Sequence, residues 1–487
     1  MPLKQHRFSY LCCLDGVVRC AGMRTYRARR TAIGGAVLLG SAVLVLAVGP
    51  WPAYGPRHLD TDERFLRARD ALVASASGLG TGAGRFQAGW ARRALPVPPG
   101  TPLAGYAARR GRPSGEAGSP LDAEALVVSD GVDLAAVVAT DLLIVPPAAA
   151  DLARRLVSAG SSLRASSILF NASHTHSGPG GFAPGWVGEA FAGPYDARFS
   201  EDLGHAFAEA ILDAWRHLEP ARLAHGVVPA FDLVRNRARP WGAVDGALTW
   251  LVVEQDDGDR LVVTSFAAHA TVLPAGNMAL DADYPGRLEA VLEDLDGRTQ
   301  AFFLAGAVGS MGPAPGPSDN PGENARWLGR ALAERVVPAV RRATPVRPDE
   351  VASAGAAFRM PPLQVRIDRR LRWSPLIARQ AGLTDEAWLS LIRVGGLVLI
   401  GAPGDLSGEV ALPIRRGAVR RGVAAWTLSF NGAYVGYVSP DRYYLLSPRT
   451  PVERYEVFTM SWCGPQQEAF LTGLIRDGLV ALTADPG

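Results

Sequence analysis

Cysteine is almost missing where it would matter. Of four cysteines in 487 residues, Cys12, Cys13 and Cys20 precede a long apolar run and only Cys463 follows it. The part of the chain after that run therefore has neither an intramolecular disulfide nor a cysteine metal site open to it. Any metal held there must use His, carboxylate or Tyr. A surplus of positive charge is missing too: 50 Lys and Arg nearly cancel 47 Asp and Glu, and six of the arginines sit in the N-terminal leader. A surface for nucleic-acid phosphates needs a concentrated positive excess, so no nucleic-acid partner is expected. There is no internal repeat and no long low-complexity linker; the most loop-like stretch is GPAPGPSDNPGEN (312–324). With 48% hydrophobic and 20% charged residues, general disorder is excluded and a substantial core is expected.

What is present begins with the leader. MRTYRARR (23–30) precedes TAIGGAVLLGSAVLVLAVGPWPAYGP, in which no residue from Thr31 to Pro56 is charged. That run is long enough to cross a bilayer, with arginines before it and Trp51 and Tyr54 at its far end. By the positive-inside rule the rest of the chain lies outside the cytoplasm. A retained anchor and a cleaved signal both stay open: the run is long for a signal and no small-x-small cleavage site follows it. The expected organisation is a basic cytoplasmic leader (1–30), a transmembrane anchor or signal segment (31–56), a helical stalk (57–84) and one catalytic domain (85–487). The domain is then either membrane-anchored or, after cleavage, secreted or periplasmic.

Beyond residue 85, short apolar runs alternate with amphipathic segments. EALVVSD, DLAAVVATDLLIV, SSILFNASH, RLVVTSFAAHA, AFFLAG and GLVLIGAPG read as buried strands. SEDLGHAFAEAILDAWRHL (200–218), NARWLGRALAERVVPAV (324–340) and QQEAFLTGLIRDGLVAL (466–482) read as helices. The expected class is α/β, with mixed sheets flanked by helices.

Polar residues collect at the ends of these strands. His174 and His176 close SSILFNASHTH, His269 closes VVTSFAAHA, Asp405 and Glu409 follow GLVLIGAPG, and Tyr434 and Tyr437 lie in AWTLSFNGAYVGYV. Ligands gather at such ends because loops there vary while the sheet stays rigid. Histidines at i and i+2 of a strand face one side, so both can point into one cleft. A zinc ion needs about four N or O donors near 2.0–2.2 Å. Residue chemistry alone leaves a metal site and a set of hydrogen-bonded rim histidines equally open.

NASHTHSGPGG resembles the signature segment of the neutral, non-lysosomal ceramidases. AGYAARR (104–110), VRNRARP (234–240), FAAHAT, GAVGSMGPAP, APGDLSGE, GYVSPDRYY and RYEVFTMSWCGP resemble further motifs of that family in the same order. The resemblance, from about residue 85 to the end, implies a zinc-dependent amidase that cuts the amide bond of an N-acyl sphingoid lipid at a membrane surface. It implies His174, His269, Asp405 and Tyr437 as zinc ligands. His176, Arg237 and Tyr455 would surround the reacting amide as proton donors and oxyanion stabilisers.

Three departures qualify that implication. The family serine falls on Gly312 and its neighbouring aspartate on Ser310, which leaves Ser310 as a displaced substitute. Asp405 stands where the family has glutamate, drawing the carboxylate back by one methylene, roughly 1.5 Å, with Glu409 as an alternative ligand. The immunoglobulin-like C-terminal domain that family members often carry is not expected in this chain. Asp141 is expected to organise the site, and Asp283 to Gly286 to form a turn that positions the histidine strand. Two other readings follow: a member that binds metal or lipid without turnover, and a zinc hydrolase of another envelope amide or ester.

Overall fold

The computed structural model describes residues 11–483 apart from 56–57, 79–84 and 116–117, and gives only the backbone for 11–25, 27 and 28. The first element, α1 (Leu11–Ala47), contains a 19-residue stretch, Arg29–Ala47, long and apolar enough to cross a membrane and covered by no other part of the chain. It is followed by a two-residue strand, β1 (Trp51–Pro52).

Helix α2 (Glu63–Ala74) starts where the Asp62 carboxylate accepts from Arg64 N–H at 2.9 Å and Phe65 N–H at 3.3 Å, an N-cap that satisfies two otherwise orphaned donors. It lies within the segment expected as a stalk, yet Phe65, Ala68 and Leu72 are buried on one face against the domain. Phe65 meets Phe470 edge to face at 5.4 Å. Truncating a phenyl ring so placed costs about 3–5 kcal/mol, so this helix is part of the core.

Eight strands form the large sheet: β2 (Gln87–Ala94), β3 (Asp122–Ser129), β4 (Leu134–Thr140), β5 (Ile168–Ala172), β6 (Glu219–Pro229), β8 (Ala247–Gln255), β9 (Arg260–Phe266) and β10 (Thr299–Ala305). Their order is β10-β9-β8-β6-β2-β3-β4-β5; β4 with β5 and β9 with β10 are parallel, the rest antiparallel. A smaller sheet, β12-β14-β15-β17, joins β12 (Val351–Arg359), β14 (Glu386–Val394), β15 (Leu397–Gly401) and β17 (Ala424–Leu428). The two sheets pack face to face through Leu126, Leu169, Phe302, Ile392, Leu399 and Leu428. The other face of the large sheet carries α3 (Pro147–Gly160), α5 (Ala197–Arg216), α6 (Asp283–Glu293) and α7 (Pro321–Arg342). The other face of the small sheet carries α2, α9 (Gly408–Val419) and α11 (Gln467–Thr483). Central strands such as LAAVVAT read as continuous apolar runs because each is covered on both faces. The expected mixed sheets flanked by helices are present, arranged as a four-layer sandwich.

Two short helices, α4 (Gly185–Ala192) and α8 (Pro375–Gln380), and the strand β13 (Leu371–Arg372) lie outside these layers. Three two-stranded ladders complete the fold. β1 pairs with β13, β7 (Val234–Asn236) with β11 (Met311–Pro313), and β16 (Asp405–Leu406) with β18 (Tyr437–Val438). The last two sit at the site. α10 (Pro451–Arg454) runs into a single π-helical turn, Tyr455–Thr459, a local widening of the helix frequent at functional sites.

Candidate active site

The seven residues singled out in the sequence meet at one end of the sandwich. Strand β5 stops at Ala172, so the two-residue strand alternation expected to aim His174 and His176 does not apply. His174 instead adopts a left-handed backbone (φ 62°), a conformation unfavourable for a residue with a Cβ. Its imidazole stacks on Phe430, itself at φ 64°, with centroids 4.3 Å apart and planes at 12°. Strained conformations that cluster like this are a mark of functional sites. The loop is held by Ser173 N–H to Thr140 O (2.8 Å) and His176 N–H to Ala270 O (3.1 Å).

The protonation of each ring follows from its partners. His174 Nδ1 faces the Leu143 carbonyl at 2.6 Å, and His269 Nδ1 faces the carbonyls of Val308 (2.7 Å) and Met311 (3.1 Å). Carbonyls only accept, so both Nδ1 atoms carry hydrogen and both Nε2 atoms keep a lone pair. Burial pushes the His174 pKa down to about 3 and that of His269 well below its ordinary value, with Arg237 adding to the effect. Both rings are neutral at physiological pH, which is the ligand form.

Asp405 supplies the carboxylate. Its Oδ2 accepts from the Tyr434 hydroxyl at 2.6 Å, while Oδ1 is buried without a hydrogen-bond partner. That orphaned oxygen lies 3.5 Å from His174 Nε2 and 3.6 Å from His269 Nε2. Donors about 2.1 Å from a tetrahedral ion stand about 3.4 Å from one another, so these separations fit a shared metal. The Tyr437 hydroxyl is 3.2 Å from His269 Nε2, and the parallel pairing of β16 with β18 sets Asp405 opposite Tyr437. His174, His176 and His269 place ligating atoms within 4.8 Å of one another, and that cluster can hold a metal ion. Burial lifts the Asp405 pKa to about 7 against the opposing influence of Tyr434 and Arg237.

Arg237 is the positive edge of the site. Its Nη2 reaches His269 Nε2 (2.7 Å), the Tyr437 hydroxyl (2.9 Å) and the Gly309 carbonyl (3.3 Å), and its Nε donates to Glu456 at 3.0 Å. Burial alone would lower its pKa, but Tyr437, Glu456 and Asp405 hold it above its ordinary value. His176 Nε2 is 3.3 Å from His174 Nε2, and its Nδ1 has no hydrogen-bond partner. The Tyr455 ring stands edge-on to Tyr437, centroids 5.9 Å apart.

Several expectations change. Glu409 is not among the histidines: it begins α9 and accepts from the Tyr443 hydroxyl at 2.5 Å, with Arg442 at 3.7 Å. The Ser310 hydroxyl is committed to Ser407 at 2.8 Å, and Ser407 also caps α9. Asp283 to Gly286 open helix α6 instead of forming a turn, and the Asp283 carboxylate, accepting from Leu273 N–H at 2.9 Å and Tyr284 N–H at 2.6 Å, ties the helix start to the loop after the histidine. The segment still positions the histidine, since the Tyr284 hydroxyl donates to Ala268 O at 2.7 Å. Asp141 lies just past β4, and its carboxylate accepts from Asp122 N–H at 3.1 Å.

Other contributors were not singled out. Arg109 is buried and donates to the carbonyls of His176, Ala104 (2.8 Å) and Asn277 (2.9 Å), clamping the His176 loop. Tyr106 lies against His176 with centroids 4.8 Å apart. The motif AGYAARR carried both residues as an unassigned signal. Glu456 lay in the motif RYEVFTMSWCGP without a role, because its partner Arg237 is 219 residues away. Above the histidines opens a cavity of about 360 Å³, walled by Leu143, Ile144, Phe182, Val187, Phe191, Leu383 and Trp462. Such a volume with mainly apolar walls and few polar groups at its floor suits an organic ligand.

Face-to-face mixed sheets flanked by helices give this chain a neutral-ceramidase-like fold. The chain is similar to the solved structure of neutral ceramidase from Pseudomonas aeruginosa, with 18% identity and a TM-score of 0.69 over 82% of this chain and 74% of that one. It is similar to the same degree to a ceramidase complexed with C2, at 18% identity and 0.69 over 83% and 75%. At this identity the likeness establishes the fold. No family model and no curated protein matches the sequence.

Proposed function

We propose that the protein is an exported zinc-dependent amidase that hydrolyses ceramide or a related N-acyl lipid to a fatty acid and an amine base. The observation that carries this reading is the buried, unpartnered Asp405 Oδ1 facing two neutral histidine Nε2 atoms at the floor of an apolar pocket. The likeness to neutral ceramidase structures supports the choice of substrate class.

His174, His269, Asp405 and Tyr437 would hold the ion, with His269 Nε2 and the Tyr437 hydroxyl exchanging their hydrogen bonds from Arg237 Nη2 for it. When bound, it polarises the amide carbonyl and acidifies a water molecule. The protein supplies the rest. The pocket walls take the acyl chain and keep bulk water from the floor. Arg237 remains charged and aims Nη2 at the cluster, where it stabilises negative charge developing on the amide oxygen, a contribution typically worth about 3–4 kcal/mol. The Tyr455 hydroxyl, kept protonated because burial raises its pKa, is a second donor to that oxygen. His176 is neutral because burial and the neighbouring His174 and Arg237 hold its pKa down. Once His174 Nε2 is committed to a ligand bond, His176 Nε2 has no acceptor to donate to, so the ring moves its hydrogen to Nδ1 and Nε2 can take a proton from the attacking water. It then returns that proton to the departing nitrogen as the C–N bond breaks.

Gly312 favours a second reading, a protein that binds metal or lipid without turnover. A Cβ there would meet Arg237 Cδ at 3.4 Å, an ordinary van der Waals separation, so nothing local demands glycine. Metal titration separates the readings. On the amidase account, chelation abolishes ceramide cleavage and one equivalent of zinc restores it; full cleavage by chelated protein would overturn the account.

A further inference from the structure

Among the described residues, the apolar helix is fastened to the folded domain by the chain just past its end. Ser374 N–H donates to Val48 O at 2.9 Å, and Ala53 N–H donates to Arg370 O at 2.7 Å. Between these bonds Trp51 and Pro52 pair with Arg372 and Leu371. The Arg372 guanidinium lies over the rings of Trp51 (5.0 Å) and Tyr54 (4.5 Å), and its Nε donates to Pro52 O at 3.0 Å. The helix ending at Ala47 is thus held against the domain by a seam only a few residues further on.

Ser374 is also the N-cap of α8, whose chain continues into Gly382, Leu383 and Thr384 on the wall of the apolar pocket. The six-residue helix at about 1.5 Å per residue, with the flanking residues at no more than about 3.6 Å each, puts that wall within about 18 Å of the seam. The turn after α8 packs against the start of α4: Val187 N–H donates to Ala381 O at 3.3 Å, and a Cβ on Gly185 would fall 2.7 Å from Gly382 Cα. Helix α4 reads GWVGEAFA, yet only Ala192 of it is buried, although Val187 and Phe191 line the pocket. Trp186 is 60% exposed, Leu376 64% and Trp373 41%. Arg369, Arg370 and Arg379 are exposed beside them. Aromatic and aliphatic side chains edged by arginine, at the exit of an apolar helix, match the composition of a membrane–water interface.

We propose that this corner, α4 and α8 with Trp186, Trp373 and Leu376, seats in the outer surface of the bilayer crossed by Arg29–Ala47, so that the pocket opens onto lipid. The inference rests on reading that helix as a retained anchor with the domain outside. It deepens the proposed function, because an N-acyl lipid then enters the pocket laterally and never crosses water.

The test uses the full chain with Cys12, Cys13 and Cys20 changed to serine; Cys463 is buried and escapes labelling. A bimane fluorophore is attached to W186C, L376C or, at the opposite end of the large sheet, V132C. Each protein is reconstituted into phosphatidylcholine–phosphatidylglycerol vesicles with or without brominated acyl chains. Emission at 186 and 376 should fall at least about twofold with brominated lipid and stay constant at 132, as expected for side chains at the interface. Unquenched probes at 186 and 376 in protein that floats with the vesicles after alkaline washing would overturn the seating while leaving the anchor intact. Protein that does not float would overturn both. Equal quenching at 132 would show nonspecific adsorption, and shielding that grows with protein concentration would show a second copy on the patch; either result overturns the proposal.

Discussion

Changing Gly105 to alanine probes the division of labour between His176 and the metal ligands. Gly105 has φ +103°, a conformation strained for any L side chain, and a Cβ there would fall 2.7 Å from His176 Cγ and Nδ1 and 2.8 Å from its Cα. The clash with the backbone of His176 decides the outcome, since backbone cannot swing aside as a ring can. Reaching an ordinary separation of 3.4 Å requires the two loops to part by 3.4 − 2.8 = 0.6 Å. The backbone strain costs about 1–3 kcal/mol of stability. A reacting group misplaced by about 1 Å loses about 100-fold in rate, so kcat should fall by about 10- to 100-fold. His174 and His269 are anchored on other carbonyls, those of Leu143 and Val308, and should keep stoichiometric zinc. Ceramide turnover, zinc content and thermal unfolding of G105A give the three readouts. Loss of zinc would make His176 a ligand, and an unchanged kcat would remove it from catalysis.

Other outcomes follow from the same geometry. Y434F removes the donor to Asp405 Oδ2, a bond of 2.6 Å, and should weaken zinc binding about 10- to 100-fold in a chelator competition. G312S places its Cβ 3.4 Å from Arg237 Cδ and should unfold with the unmodified protein; early unfolding would show that the space is smaller than it looks. Burial lifts the Asp283 pKa to about 7, above the unfolded value of about 3.9. The folded state thus keeps a proton that the unfolded state releases. Stability from this group is complete below about pH 4 and is lost as pH rises towards 7, at about 1.4 kcal/mol per pH unit. D283N, which tolerates φ 57°, should flatten the dependence in denaturant melts across that window.

Much of the fold was legible because the strands are buried on both faces. Runs such as VVATDLLIV and GLVLIGAPG betray themselves by composition, although the first ends as a strand at Thr140. The packing of two sheets was not legible, since it depends on pairings such as β2 with β6 that no local pattern records. NASHTHSGPGG marked the site, but through a strand geometry the chain abandons at Ala172. Convergence comes instead from a left-handed His174 and carbonyl anchors on distant loops. Asp405 and Tyr437 were separate signals until the pairing of β16 with β18 joined them. Glu409 and Ser310 looked equally chemical in sequence, and only their partners, Tyr443 and Ser407, show them otherwise engaged.

The most direct measurement is release of a fluorescent acyl group from ceramide by the purified, zinc-loaded full chain beside its H174A variant. The account predicts turnover by the first and none by the second, which should also have lost its zinc. Equal turnover by both, or none by a protein that holds zinc on these residues, would contradict it.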